Sequence, residues 1–372
     1  MATGRDSPSP TPGFLGHNAA MVSKAALHTL SDNVHIWSPT RTANVEPTWG
    51  WANCGLITSA ARGSSPAAAA WIDTPYDRGH AEEFLRRCVP LLPEQTGIGT
   101  IVLSHANGDH SWGTGPVPGA RVISSAAALR HIAHEPEPSD LMALMSQVDP
   151  ASPLGWYLKQ HWGHWSWADT HPATPTETFS GERSLTIGSV PLRLVEVSGH
   201  TEGDIIIELP EHGVVFAGDL VFGSTAEHPG EHPVHWSGPL AAVAAGCRQI
   251  LDLDVETIVP GHGPVLNRGD LLEHIAYLDE LSGYAQQAYA QGLTSLAAAE
   301  ALIASGWNAQ LGLEERLAIT LQTEWDHLSA AAAPTSMVEL VTRAATLAWN
   351  KANSASAVAI PRPRQAPAPI ST

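Results

Sequence analysis

The segment LSHANGDH, residues 103–110, concentrates side chains that can bind a metal. They are His105, Asn107, Asp109 and His110. The preceding run GTIVL is rich in strand-forming residues and predicts a β-strand that ends near Ser104. Imidazole nitrogen and carboxylate oxygen are ligands for zinc, iron and manganese, so the loop after this strand is a candidate metal site.

Three more candidate ligands follow hydrophobic runs later in the chain. They are His200 in VSGHTEGD, Asp219 at the end of VVFAGD, and His262 in the glycine-bounded turn of TIVPGHGPV. Strands of one core that end on one edge deliver their loops to a common place. We therefore expect these side chains to meet the first segment at one site.

The order of these motifs resembles the metallo-β-lactamase superfamily, whose pattern is H-x-H-x-D-H followed by H, D and H. The resemblance covers about residues 33 to 267 and includes an earlier strand that ends in an aspartate, WIDT with Asp73. It implies an α+β fold, namely a four-layer αββα sandwich, with a dinuclear metal site at one edge.

Carried over residue by residue, the resemblance implies a role for each candidate ligand. The first metal would be held by His105, Asn107 and His200. The second metal would be held by Asp109, His110 and His262. Asp219 would bridge the two, and Asp73 would orient ligands from behind. A structural Asp73 that caps the turn before Pro75 is the alternative.

Asn107 departs from the family pattern, because it stands where the second histidine is expected. An amide oxygen binds zinc more weakly than imidazole does, so we expect the first metal position to be the weaker one. A single metal at the second position, two metals with Asn107 or a water as donor, and a harder metal all remain open. The cofactor prediction is one or two zinc ions, with iron and manganese as alternatives.

The chemistry that such a site supports is hydrolysis. A bound metal lowers the pKa of its water to about 7, and the resulting hydroxide would attack a carbonyl. The metal would polarise the developing oxyanion, while Asp109 would orient the nucleophile as the catalytic residue. The sequence therefore predicts a metallo-hydrolase that cleaves an ester, thioester, lactone or amide bond.

An aromatic stretch, GWYLKQHWGHWSWADTHP at residues 155–172, bears on the substrate, together with HPVHW at 232–236. Such residues predict aromatic walls above the metals and a pocket for a small apolar or aromatic substrate. Packing of this insertion onto the sandwich would explain them equally well. The histidines that could take part directly are His161, His164 and His235.

Charge and composition restrict the partners. With 19 Lys and Arg against 37 Asp and Glu, the net charge of -18 opposes binding to a phosphate backbone. We therefore expect no nucleic-acid partner, and sulfatase, phosphodiesterase and nuclease activities are disfavoured. No run of about 18 apolar residues predicts a membrane span. The widely spaced Cys54, Cys88 and Cys247 and the lack of a signal-peptide pattern predict a cytoplasmic protein with reduced thiols.

The chain divides by composition into four parts. Residues 1–20 and 353–372 are rich in Ser, Pro and small residues and predict disordered tails. Residues 21–268 predict the metallo-β-lactamase-like domain, and 269–352 predict a helical C-terminal segment in which Thr294 is an N-cap. The apolar faces of those helices are compatible with a homo-oligomer interface.

Two other functions remain open at this point. The oxygen donor at Asn107 permits an iron-dependent oxidoreductase on the same fold, because the superfamily's diiron oxidoreductases carry an oxygen-donor glutamate at this position. The lack of a flavodoxin or rubredoxin module disfavours that reading. A metal-binding protein without catalysis is the third possibility.

Overall fold

A computed structural model describes residues 25–39, 48–330 and 333–358 of the chain. The tail predicted for residues 1–20 lies outside these residues, as does the part of the C-terminal tail after 358. No helix in the described part of the chain is long and apolar enough to cross a membrane.

The first sheet pairs strands β1 to β7 in their order along the chain. Their bounds are Ala25–Ser31, Val34–Pro39, Cys54–Ser59, Ala68–Ile72, Ile98–Val102, Arg121–Ser125 and Glu177–Phe179. Strands β1 to β4 pair antiparallel, and β4 to β7 pair parallel. The parallel part therefore brings the carboxyl ends of β4, β5 and β6 to one edge.

The second sheet has the order β12-β11-β10-β9-β8. Strands β8 to β12 span Glu182–Ile187, Val190–Val197, Asp204–Leu209, Val214–Phe222 and Thr257–His262. All neighbours pair antiparallel except β11 and β12, which are parallel. Every residue of β10 and β11 is buried, because the other sheet covers one face and helices cover the opposite face.

The sheets enclose one hydrophobic cluster between them. It joins Ile57 and Val102 of the first sheet to Leu194, Ile207 and Phe216 of the second. Apolar side chains on facing sides of two sheets interdigitate in this way to form the core of a sandwich.

Helices form the two outer layers. Their bounds are Arg78–Cys88 (α1), Gly108–Ser111 (α2), Ala126–Ile132 (α3), Pro138–Gln147 (α4), Pro153–Trp162 (α5), Leu240–Leu251 (α6), Arg268–Ala290 (α7), Ser295–Ala304 (α8), Leu317–Leu328 (α9) and Met337–Val358 (α10). Phe84 of α1 stacks on Trp71 of the first sheet with ring centroids 4.8 Å apart. Val243 of α6 and Leu271 of α7 belong to the cluster behind the second sheet. The predicted four-layer αββα sandwich with additional C-terminal helices is confirmed.

The C-terminal helices follow the sandwich without a break in the described chain up to residue 330. Thr294 caps α8 as predicted, because its Oγ1 accepts a hydrogen bond from the Ala297 amide at 3.2 Å. The prediction that a disordered tail begins at residue 353 is wrong for residues 353–358, which continue α10. Alanine favours helix and no proline occurs between Pro334 and Pro361, so the helix extends into this small-residue run.

Candidate metal centre

The predicted ligands lie at one edge of the sandwich, where strands of both sheets end or bend. His105 follows β5, and the short helix α2 carries Asp109 and His110. His200 lies beyond the end of β9, and His262 is the last residue of β12 rather than part of the following turn. The fold therefore brings loops that are distant along the chain to one place, as expected.

Asp219 reaches the site from within a strand. It lies inside β11, which continues to Phe222, so the prediction that it ends the strand is wrong. The register of β11 against β12 shifts on both sides of Gly218, whose φ is +51°. Such a bulge re-aims side chains while pairing continues beyond it.

Two groups of candidate ligands form here, and in each group the ligand atoms lie within 4.8 Å of one another. The first group is His105, His200 and Asp219. The second group is Asp109, His110 and His262. Both agree with the division that the family resemblance implied, with Asp219 close to the two.

Asp219 contacts both groups directly. Its Oδ1 lies 3.1 Å from His110 Nε2, and its Oδ2 lies 3.3 Å from His262 Nε2 and 3.6 Å from His200 Nε2. In the second group, His262 Nε2 lies 3.4 Å from both Asp109 Oδ2 and His110 Nε2. One carboxylate can therefore serve two adjacent cations.

Asn107 belongs to the first group by contact. Its Oδ1 lies 2.8 Å from His200 Nε2, and its Nδ2 donates to Glu135 Oε1 at 3.1 Å. The amide oxygen therefore faces the imidazole nitrogen, and the amide nitrogen faces away from it. Asn107 therefore lies beside the first group, and its role as a metal ligand stays a prediction.

Asp73 fixes the orientation of His110. Its Oδ2 lies 2.8 Å from His110 Nδ1, so His110 presents Nε2 to the site. Asp73 also accepts hydrogen bonds from the Ser104 amide at 2.6 Å and the Ser104 hydroxyl at 2.7 Å. Its φ of +58° is left-handed, a conformation that non-glycine residues adopt mainly where the surroundings require it. These contacts favour the orienting role over simple turn capping.

Backbone carbonyls orient two other imidazoles. His262 Nδ1 lies 3.0 Å from the carbonyl oxygen of Trp51, and His200 Nδ1 lies 2.8 Å from that of Val234. A carbonyl oxygen only accepts, so each Nδ1 carries the hydrogen. Both rings therefore direct Nε2 at the site, and the burial that lowers the pKa of His200 leaves its Nε2 unprotonated, which is the form that binds metals.

The electrostatics of the site suit a cation. Burial, reinforced by His110, lowers the pKa of His105 to about 4, and burial lowers the pKa of His200 well below its usual value. Burial alone would raise the pKa of Asp109, but the charge of His110 and the hydrogen bond from His262 outweigh it and hold that pKa at about 2. Burial would likewise lower the pKa of His110 and of His262, but the surrounding aspartates outweigh it and raise the first well above its usual value and the second to about 9. The site thus combines neutral His105 and His200 with ionised carboxylates that favour positive charge beside them.

The hydrogen-bond pattern tests whether these residues fit a metal. A neutral His200 has one N–H, yet both of its nitrogens face oxygen acceptors, those of Val234 and Asn107. Within the described residues, His105 Nε2 is buried without a hydrogen-bond partner. A cation among these atoms would satisfy each lone pair, so the donor set fits a metal.

A cavity of about 270 Å³ opens above the centre. Asn107, Asp109, Asp219 and His262 form its floor. Its walls are mainly apolar and include Trp49, Trp112, Trp162, Trp167, Phe222 and Trp236. The metal centre therefore faces a mostly hydrophobic space rather than open solvent.

The predicted aromatic stretch divides between the two roles considered for it. Trp162 and Trp167 line the cavity. Trp165 instead packs on Trp51, with ring centroids 4.8 Å apart, and Trp156 packs on Trp349 at 5.6 Å. Both interpretations of the stretch therefore apply, each to different residues.

The three histidines considered as direct participants lie elsewhere. Among the described lining residues of the cavity, none is His161, His164 or His235. His235 is buried, with its ring 5.6 Å from that of His200 and 5.9 Å from that of Phe222. It lies beside the ligands, outside the cavity.

Three charged residues of the cavity wall were not identified from the sequence: Glu135, Asp140 and Arg316. The Arg316 guanidinium lies 4.1 Å from the ring centroid of Trp49, and its Nη1 lies 3.2 Å from Glu231 Oε2. The available sequence signal was an arginine directly before the apolar run LAITL. The structure buries this arginine fully, and such a charge needs partners. Glu135 lies in a polar loop, where nothing distinguished it from its neighbours.

Comparison with known proteins agrees with the fold. Residues 93–262, which include every predicted ligand, match the model of the metallo-beta-lactamase superfamily. A beta-lactamase domain protein from Burkholderia ambifaria is similar in structure, with a TM-score of 0.56 and 16% identity over 83% of this chain and 90% of that chain. None of the curated proteins searched matches the chain.

Two metallo-beta-lactamases are also similar, at lower TM-scores. The enzyme from Pontibacter korlensis gives a TM-score of 0.48 at 17% identity, covering 68% of this chain and 99% of that chain. FIM-1 from Pseudomonas aeruginosa, in its mono-zinc form, gives 0.44 at 18% identity, covering 69% and 95% respectively.

Proposed function

This chain belongs to the metallo-β-lactamase superfamily, and we propose that it is a zinc-dependent hydrolase of a small apolar or aromatic carbonyl compound. The bond cleaved would be an ester, thioester, lactone or amide. The observation that carries the proposal is one geometry: two ligand groups share Asp219 and open into a hydrophobic cavity.

The residues that would hold zinc are those with converging lone pairs. At the first position they are His105, Asn107 and His200, and at the second Asp109, His110 and His262, with Asp219 between. Zinc bound there would supply Lewis acidity and lower the pKa of a coordinated water to about 7. The superfamily's imidazole and carboxylate donors suit zinc, with iron or manganese as less favoured occupants.

Asp109 would orient the attacking water. It lines the cavity, its side chain is 19% exposed, and its low pKa keeps the carboxylate ionised at neutral pH. An ionised carboxylate beside the reacting carbonyl can accept a hydrogen bond from the water at Oδ1 or Oδ2 and so aim its lone pair. The residue thereby contributes orientation as well as metal binding.

The cavity would select the substrate. Trp49, Trp112 and Phe222 offer flat apolar faces close to the metal-binding floor. Contact with such walls excludes water from the acyl or leaving group and strengthens electrostatic interactions at the reacting carbonyl. A volume of about 270 Å³ supports a small-molecule substrate rather than a polymer.

The experiment that tests the proposal combines chelation with a substrate panel. Protein stripped with a chelator and reloaded with zinc, iron or manganese is assayed on aryl esters, thioesters, lactones and amides. We expect turnover that disappears on chelation and returns with zinc. Turnover that is indifferent to the chelator would contradict the proposal, and so would metal saturation without turnover on any class. Redox turnover restored only by iron would replace it with the oxidoreductase.

A further inference from the structure

We infer that Glu135 is a positioning residue that commits the Asn107 amide to present its oxygen to the first metal position. This inference rests on the metal site of the proposed function. It explains how a chain that carries Asn107 in place of the family's second histidine can keep a donor there.

The contacts of Asn107 show that its amide oxygen faces a nitrogen that has no hydrogen to donate. Its Oδ1 lies 2.8 Å from His200 Nε2, and its Nδ2 donates to Glu135 Oε1 at 3.1 Å. His200 donates through Nδ1 to the Val234 carbonyl, so its Nε2 has no hydrogen for Asn107. Two lone pairs therefore face each other, an arrangement that a cation between or beside them stabilises.

Without Glu135, the opposite amide orientation would be preferred. A reversed Asn107 would donate from Nδ2 to the bare Nε2 of His200 and form an ordinary hydrogen bond. That orientation would also direct an N–H at the metal position, where it cannot coordinate. With Glu135 present, the reversed amide would instead set Oδ1 against the carboxylate Oε1, and two acceptors repel each other.

Glu135 is itself held in place. His131 Nε2 lies 2.9 Å from the same Oε1, and the Glu135 amide donates to the His131 carbonyl at 3.0 Å. The side chain of Glu135 is only 10% exposed, and Pro136 restricts its backbone to extended conformations. The acceptor for Asn107 is therefore preorganised.

Glu135 acts through Asn107 and is not a ligand in this arrangement. Neither of the two groups with ligand atoms within 4.8 Å of one another, found among the described His, Cys, Asp and Glu residues, includes it. A carboxylate that supports a ligand from behind changes metal affinity by about 10- to 100-fold when removed. We expect that loss at the first position alone.

A double-mutant cycle on zinc affinity tests the inference. Zinc binding is measured by competition with a fluorescent chelator, and the cobalt absorption spectrum reports ligand geometry, for the wild type, Glu135→Ala, Asn107→His and the double variant. In the wild-type background, Glu135→Ala should weaken the first position about 10- to 100-fold and leave the second unchanged. In the Asn107→His background the same substitution should have little effect, since imidazole needs no amide orientation. Glu202→Ala, which removes an exposed nearby carboxylate, is the matched control and should change neither position.

Each result of this cycle either supports or overturns the positioning role of Glu135. An equal loss in both backgrounds would show a general structural role and overturn the inference, as would unchanged affinity in Glu135→Ala. Either result could accompany normal zinc-dependent hydrolysis, so the proposed function would stand. A wild-type protein that binds no metal would overturn both.

Discussion

The cavity has a polar floor, which carries the candidate ligands, and apolar walls, most of which form what we call its roof. The two are built in different ways. The floor consists of polar side chains from loops, strands and the short helix α2 of the sandwich, between His105 and His262. The roof is made largely by α4, α5 and α10, which contribute apolar residues such as Leu144, Leu158 and Val341. The floor lies within the range that matches the superfamily, whereas α10 lies outside it.

This difference assigns the chemical step to the floor and the choice of substrate to the roof. A metal floor requires a fixed geometry of several donors, each held by a partner such as Asp73 or a backbone carbonyl. An apolar roof requires only shape and hydrophobicity, and many sequences provide these. We therefore expect changes in the floor to affect every substrate, and changes in the roof to affect some substrates and not others.

The largest effect is expected from Asp219→Ala. It removes the carboxylate that contacts His110, His200 and His262, so both metal positions should weaken. Metal ions contribute several kcal/mol to the transition state, so kcat/KM should fall about a thousandfold on all substrates. Steady-state kinetics with metal analysis measures this, and Asp279→Ala, an exposed carboxylate, is the control. A loss confined to bulky substrates would contradict the division between floor and roof.

A smaller effect is expected from Asp73→Asn. The amide cannot match the charge of the carboxylate that orients His110, so zinc affinity at the second position should fall about 10- to 100-fold. Chelator competition measures the change. Asp77→Asn is a matched control, because Asp77 makes a similar 2.7 Å contact with His80 Nδ1 and neither residue belongs to the two candidate ligand groups. Equal losses for the two variants would show that any buried carboxylate–histidine pair matters, rather than this one.

The roof should respond differently. Val338 lines the cavity and is 49% exposed, so Val338→Trp narrows the entrance without disturbing the core. We expect kcat/KM to fall roughly tenfold for bulky aryl substrates and to stay unchanged for acetyl esters, with normal metal content. Leu272→Trp, at a similarly exposed apolar position that does not line the cavity, should leave both rates alone. A uniform loss of kcat/KM across substrates would contradict the proposed difference between floor and roof.

The smallest effect is expected from a substitution at the start of α8, which belongs to neither the floor nor the roof. Thr294→Ala removes the N-cap of α8 and should lower the free energy of unfolding by about 1 kcal/mol. Denaturant unfolding measures this change. Metal content and activity should stay at wild-type values, and a loss of activity would mean that α8 supports the roof more directly than its contacts indicate.

Much of the floor could be predicted from the sequence because its residues occur in compact motifs after recognisable strands. Residues in GTIVL and VVFAGD form strands as predicted. The short strand β7 and the charged strand β8 were missed, because neither has the apolar pattern of a buried strand. Asp219 was assigned to a strand end, since a bulge depends on pairing with β12 and leaves no clear local pattern.

The roof could not be predicted in the same way. Apolar positions at helix spacing in α10 look the same whether they face a core, a partner or a cavity. The aromatic stretch was recognised, yet only the fold shows that Trp162 lines the cavity while Trp165 packs on Trp51. Glu135 was missed because its importance depends on the orientation of one amide.

Elemental analysis of the protein purified without added metal tests the central claim most directly. We expect about one to two zinc ions per chain, lost together in Asp219→Ala and retained in Val338→Trp. Protein that contains no stoichiometric metal, and takes up none when zinc is supplied, would contradict it.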